Sequence, residues 1–219
     1  MKWYDVSMPI EETMPVYKNK PEKRPAFEVT SDFATGSVRE TRIHIDVHTG
    51  THIDAHLHMI DGGSTIDQIP LQRLITPCRV IDLTHVKDAI SAEDLKEHNP
   101  KHGEFLLCKT KNSFKKEFEM DFVYVAQDAA ELLAACGVHG VGIDALGIER
   151  SQPGHPTHKT LFDKDIIVIE GLRLEDVPQG QYLLFALPMP LVGLDAAPAR
   201  VLLFAGNDRE LHFFADSTA

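Results

Sequence analysis

The chain has 219 residues, 43% of them hydrophobic and 25% charged, a globular balance that leaves disorder without support. Its formal net charge of −11, with no extended Lys/Arg face, argues against nucleic acid and anionic membranes as partners. The opening MKWYDVSMPI has no apolar signal core, and the longest apolar run, YLLFALPMPLVGL, is broken by Pro188 and Pro190 and is too short to span a bilayer, so a cytoplasmic protein is expected.

In chain order, KWYDVS (2–7) reads as a strand, PVYKNKPEKRP (15–25) as a surface loop, and FEVT (27–30) and TRIHIDVHT (41–49) as further strands. CRVIDL (78–83) follows as a strand, and SAEDLKEH (91–98) as a short helix with Ser91 as N-cap and Asp94 three residues on. EFLLCK (104–109) and FVYVA (122–126) are strand-like, and AQDAAELLAACG (126–137) is a helix closed by Gly137. GVGID (140–144), DIIVIEG (165–171), QYLLFAL (181–187), ARVLLFA (199–205) and LHFFA (211–215) complete the strands. With no repeat or linker to divide it, the chain is expected to form one α/β domain with a mixed sheet and more strand than helix.

Cys78, Cys108 and Cys136 form no CxxC pair and each lies among apolar residues, so they are expected to be small buried hydrophobes. Two lysine-rich stretches, KNKPEKRP (18–25) and KTKNSFKK (109–116), read as solvated faces unless one of them meets a substrate carboxylate.

HTGTHIDAHLH (48–58) is the chemically loaded stretch. With His44 it holds five of the twelve histidines of the chain. From Arg42 to His58 polar residues occupy the even positions and mostly apolar ones the odd positions, the period of a half-buried strand. A fully extended strand would separate the Cα atoms of His48 and His52 by about 13 Å, too far for both rings to reach one ion at about 2.0–2.1 Å. A bend is therefore expected at Gly50, returning His52 and Asp54 toward His48. Imidazole and carboxylate together suit Zn²⁺, with Mn²⁺ or Fe²⁺ as alternatives, rather than an all-oxygen Ca²⁺ or Mg²⁺ cage. Without paired thiolates, an open catalytic site is favoured over a closed structural one. Further ligands are expected among Glu149, His155, His158 and Glu170; Glu170 ends the buried-looking run DIIVI, where an unpaired charge would be costly.

HTGTHIDAHLH resembles the HxGTHxDxxxH signature of the cyclase family of metal-dependent hydrolases, which includes bacterial kynurenine formamidases and isatin hydrolases. HKTLFDKDIIVIE (158–170) is similar to the second block of that family, and GVGIDALGIE and DVSMPIEETMPVY extend the likeness over most of the chain. The resemblance implies that His48, His52 and Asp54 bind one metal, that Asp54 also reaches a second ion held by His158, and that Glu170 bridges the two. It further implies His58 as general acid/base, a swivelling β/α/β-type domain, assembly into a dimer or tetramer, and two divalent ions, Zn²⁺ as in the formamidases or Mn²⁺ as in the isatin hydrolases. Tyr17 stands where the formamidases place a substrate-facing Trp, and His56 where relatives commonly have Pro; the first makes Tyr17 a substrate-binding candidate and the second is expected to be a bystander.

Amide hydrolysis suits such a site, because divalent ions lower the pKa of water and a histidine can protonate the departing nitrogen. The expected activity is arylformamidase-type, N-formylkynurenine to kynurenine and formate; isatin-type lactam opening and a cyclase or dehydratase reaction are the alternatives on the same scaffold. A metal-stabilised binding or regulatory protein is the non-enzymatic alternative. No G-x-S-x-G elbow supplies a serine nucleophile. GVGIDA matches a dinucleotide fingerprint in letters only, since it follows a helix and opens a strand.

Overall fold

The computed structural model describes residues 2–206, so the strand expected over 211–215 lies outside the described residues. The strands in chain order are β1 (Lys2–Asp5), β2 (Ala26–Ser31), β3 (Glu40–His44), β4 (His52–Asp54), β5 (Ile75–Asp82), β6 (Ala89–Ile90), β7 (Phe105–Lys109), β8 (Tyr124–Val125), β9 (Gly140–Ile143), β10 (Ile167–Glu170), β11 (Gly180–Pro188) and β12 (Ala196–Ala205). The α-helices are α1 (Ala92–Lys96), α2 (Gln127–Cys136) and α3 (Pro156–Phe162).

Eight strands form one mixed sheet in the order β1-β12-β11-β5-β7-β9-β10-β4, and β4 also pairs with β12, which closes the sheet into a barrel. β5, β7, β9 and β10 run parallel, while β11, β12, β1 and β4 add antiparallel pairings. Each parallel crossover carries one of the helices, as the geometry of parallel pairing requires. The expected mixed-sheet α/β class, with more strand than helix, is the one observed. Among the described residues no helix is long and apolar enough to cross a membrane.

Strand alternation divides the core in two. On β7, Leu106 and Cys108 face the helices with Leu133, Val141 and Val168, whereas Phe105 and Leu107 point into the barrel with Ile53, Ile169 and Leu203. Glycine is required on the inward positions of β9. A Cβ at Gly140 would lie 2.3 Å from the Phe105 ring, and one at Gly142 would lie 2.7 Å from Leu107. The GxG of GVGID thus serves barrel packing.

Both expected helices form. Ser91 and Asp94 complete a capping box at α1, and Gly137 closes α2 in the left-handed conformation. Helix α3 was not expected from the sequence: its seven residues give too short a pattern, and it starts at Pro156 after His155 at φ 55°. The histidine-rich stretch differs from expectation at both ends. The first strand stops at His44 rather than near His48, and after β4 the chain enters a 3-10 turn over His56–His58.

The second lysine-rich stretch is largely structural. Lys109 is buried and donates to the carbonyls of Glu175 and Val177. Thr110 and Ser113 give both backbone and hydroxyl hydrogen bonds to the buried Asp144.

Candidate metal centre

The site lies where the barrel closes. Antiparallel pairing sets His52 opposite Glu170 and Asp54 opposite Val168, so inward Ile53 and Ile169 leave His52, Asp54 and Glu170 together on the outer, helix-bearing face. Glu170 emerges at the C-terminal end of a parallel strand. Helix α3 lowers His158 onto the same point, and the loop before β4 brings in His48.

The ligand atoms converge. His52 Nε2 lies 3.5 Å from Asp54 Oδ1 and 3.3 Å from Glu170 Oε2. His158 Nε2 lies 3.7 Å from Asp54 Oδ2 and 3.4 Å from Glu170 Oε1. His48 Nδ1 is 2.9 Å from Asp54 Oδ1. Each carboxylate therefore offers one oxygen to the His52 side and the other to His158. Donors about 2.0–2.2 Å from a shared tetrahedral ion stand about 3.3–3.6 Å apart; the His52–Asp54, His52–Glu170 and His158–Glu170 separations fall in that range, with His158–Asp54 at 3.7 Å and His48–Asp54 at 2.9 Å on either side of it.

Burial makes these contacts telling. His52, Asp54, His158 and Glu170 are each at most 5% exposed. Even so, His52 Nε2, both Asp54 oxygens and His158 Nε2 have no hydrogen bond. Buried orphans of this kind are costly, and here they all aim at one spot. A divalent cation satisfies them together, so this donor set fits the metal that the sequence pattern implies.

Outer partners fix the rings. His52 Nδ1 lies 2.9 Å from the Gly50 carbonyl, so it carries the proton and Nε2 is left to coordinate. Glu149 Oε2 accepts from both the backbone N–H and Nδ1 of His158, each at 3.0 Å. Glu149 thus stands behind His158, on the side away from the converging atoms; His155 is an exposed neighbour of Glu149, at 3.5 Å. Ile148 N–H donates to Glu170 Oε1 at 2.6 Å.

His58 reaches the site from the 3-10 turn, with its ring 4.1 Å from that of His48 and 5.7 Å from that of His158. His56 points elsewhere. Its Nδ1 meets Ser64 at 2.8 Å and its ring packs edge-on against Phe162, so strand periodicity did not carry it to the metal. Asp195 was missed by the sequence reading. Its Oδ2 sits 2.9 Å from His48 Nε2 and 3.6 Å from His58 Nδ1. Only β4–β12 pairing, across more than a hundred residues, brings it there, and its short motif VGLDAAPAR carries no metal-ligand signal.

Electrostatics follow from crowding. Burial opposes charge on the histidines, but Asp54 and Asp195 raise His48 to about 9, and the neighbouring carboxylates raise His52 and His158 too. Burial also opposes charge on Asp54 and Glu170, yet their histidine contacts keep both below the usual carboxylate range. His58 behaves oppositely: burial, helped by the nearby His48 and His158, lowers it. A cavity of about 320 Å³ opens over the site, with Tyr17, Met59 and Leu146 among its walls.

The Cyclase family model matches residues 4–150. The chain belongs to the Cyclase family. A kynurenine formamidase of Sphingopyxis alaskensis is 33% identical, with 91% of this chain and 96% of the relative aligned. Cyclase-like protein 3 of Arabidopsis thaliana is 34% identical over 92% of this chain and 79% of the relative. Among solved structures, a predicted metal-dependent hydrolase from Bacillus stearothermophilus superposes with a TM-score of 0.85 at 58% identity, covering 92% of this chain and 97% of that one. Isatin hydrolase A from Ralstonia solanacearum superposes with a TM-score of 0.78 at 21% identity over 92% and 91%, a likeness of fold.

Proposed function

We propose that this protein is an arylformamidase-type hydrolase that cleaves N-formylkynurenine or a close aryl formamide, with two divalent ions, Zn²⁺ or Mn²⁺, in its Cyclase-family centre. By kinship the chain is a Cyclase-family amide hydrolase, and its His, Asp and Glu cluster suits a divalent metal. The split of Asp54 and Glu170, each facing His52 with one oxygen and His158 with the other, is the observation that supports two ions, and the kynurenine formamidase relatives support the formamide substrate. On this reading His48, His52, Asp54, His158 and Glu170 would hold the ions, with His48 and His52 on one side of the two carboxylates and His158 on the other.

Ions held there would polarise the acyl oxygen and make water a competent nucleophile near neutral pH. The chain does the rest. Gly50 and Glu149 hold the Nδ1 protons of His52 and His158, which makes Nε2 of each ring the coordinating nitrogen and aims it. His58, with a lowered pKa, is neutral at pH 7 and able to take a proton from water at one ring nitrogen, then return it to the departing amine. Tyr17 stands edge-on to Phe118 and Phe122 and lends the cavity a fixed aromatic wall for an aryl substrate.

The test is to load the protein with Zn²⁺ or Mn²⁺ and follow N-formylkynurenine beside isatin. His58→Ala should keep its metal and lose about 10²- to 10⁴-fold in turnover, whereas Asp54→Ala should lose the metal. Turnover of isatin alone would favour lactam opening on the same scaffold. An undiminished His58→Ala would remove the acid/base role.

Assembly into a homo-oligomer is part of the same proposal. The β2–β3 hairpin presents Phe27 and its cross-strand partner Ile43 to solvent, with Val29, Phe33 and Val38 also exposed. An isolated two-stranded ribbon with a bare apolar face is marginal alone, so a second copy is the proposed cover. Light scattering should give a dimer or tetramer that Phe27→Glu with Ile43→Glu dissociates; a monomeric wild type refutes it.

A further inference from the structure

We infer that Lys18 and Lys20 form an anion subsite at the mouth of the metal-side cavity, and that the amide cleaved there carries a carboxylate; the second half rests on the hydrolase reading above. The cavity is graded by burial. His158 and Glu170 form its buried floor, whereas Lys18 and Lys20 are exposed, with Lys23 beside them. Three lysines within six residues line one opening of a protein whose net charge is −11. The whole-molecule field opposes an approaching anion, and only a local cationic cluster reverses it.

The lysines are not consumed by structural pairing. Lys23 is engaged with Asp46 at 3.1 Å, but Lys20 meets only the exposed Glu22 at 3.9 Å. Lys18 has no carboxylate partner among the described residues; its Nζ hangs 5.2 Å over the Tyr17 ring. The backbone is also unusual. Lys18 and Asn19 are both left-handed, at φ 59° and 51°, a conformation that non-glycine residues adopt at a cost. Asn19 N–H donates to the Val16 carbonyl and its side-chain amide to the Phe118 carbonyl, which pins the turn to the segment behind Tyr17. The strained turn is anchored where it presents ammonium groups at the opening. Between floor and mouth lie Tyr17, Met59 and Leu146, so the ligand chemistry is an acyl amide, an apolar or aromatic body and a carboxylate at the outer end.

The experiment compares 4-formamidobenzoate, whose carboxylate lies across the ring from the amide, with its neutral isostere 4-formamidobenzamide on the Zn²⁺-loaded protein. Wild type should prefer the carboxylate, and Lys18→Gln with Lys20→Gln should cut the ratio of the two kcat/KM values at least tenfold, chiefly through KM. Added NaCl should erode the wild-type preference but not that of the double variant. Lys96→Gln, on exposed α1, serves as the control and should keep the wild-type ratio. A ratio unchanged in the double variant overturns the subsite. If neither compound is cleaved, the hydrolase reading fails separately, and calorimetric binding of 4-formamidobenzoate judges the subsite: a tenfold or greater loss of affinity in the double variant supports it, and equal affinities or no binding by wild type overturn it.

Discussion

Gly171→Ala should damage the metal site although residue 171 ligates nothing. Gly171 follows Glu170 at φ 70°, and a Cβ there would stand 2.2 Å from the Gly50 carbonyl oxygen and 2.7 Å from its carbon. Non-bonded heavy atoms rest at about 3.5–4.0 Å, so the 48–54 loop would have to withdraw by about 1 Å or more. That carbonyl orients His52 through Nδ1, and the same loop is stitched to residue 171 by Thr51 Oγ1 donating to the Gly171 carbonyl at 2.6 Å. Left-handed alanine costs about 1–2 kcal/mol and overpacking about 1–3 kcal/mol, together about 2–5 kcal/mol. For a chain of this size the midpoint of thermal unfolding should fall by about 4–20 °C. Displacing His52 by about 1 Å should cost on the order of 10² in turnover and weaken metal retention. Scanning calorimetry, elemental analysis and formamide hydrolysis read these together. A variant that melts within 2 °C of wild type and keeps its full metal content would refute the claim that this close approach shapes the site.

Asp195→Asn should lower metal affinity about 10- to 100-fold by weakening the partner of His48 Nε2, with Asp195→Glu restoring part of it in a metal titration. The acid limb of kcat/KM should lie below the ordinary histidine value of 6.5, because His58 acts as base only when neutral and its pKa is lowered; His58→Ala should abolish that limb in a pH profile. Burial raises the Cys78 and Cys108 thiols, Cys108 to about 12, so a thiol reagent should label at most Cys136 in the native protein and all three in denaturant. Metal binding should release protons, since the metal-free site holds His48 protonated up to about 9 and raises His52 and His158. By sign, these raised values stabilise the metal-free fold fully below 6.5, and that stabilisation fades as pH climbs toward 9, while metal affinity rises over the same window. Calorimetry in buffers of different ionisation enthalpy reads the release, and a pH-independent metal affinity would contradict it.

The sequence exposes what is local and hides what is closed by distant pairing. Period-two alternation and β-branched runs marked nearly every sheet strand, and Ser91 and Gly137 marked two helix ends, because each signal sits inside one element. Alternation misled where the backbone left the strand: His44 and Asp46 share the even register with His48, yet they pair with Glu28 and Lys23 on the exposed flank. The same break put His56 on Ser64 and His58 beside the ligands, a division that no period of two or 3.6 distinguishes.

The residues legible as chemistry were those whose types are out of place. Glu170 ending a hydrophobic strand and histidines on a strand-like stretch both raise a cost that a shared cation offsets, and the structure shows His52 Nε2, both Asp54 oxygens and His158 Nε2 buried and unbonded beside the Glu170 carboxylate. Partners that are ordinary for their position stayed silent. Asp195 looks like any strand-end acid until β4 closes on β12, and Gly171 looks like any turn glycine until the Gly50 carbonyl arrives beside it. The split follows from the barrel itself: a strand of three residues, His52–Asp54, carries two of the proposed ligands and also makes the closing pairings with β10 and β12, so the geometry of the candidate metal site and barrel closure are one constraint. Sheet closure supplies the rigidity that holds the carboxylates near each other before any cation binds, and that is why second-rank residues such as Asp195 and Gly171 are expected to matter nearly as much as the ligands.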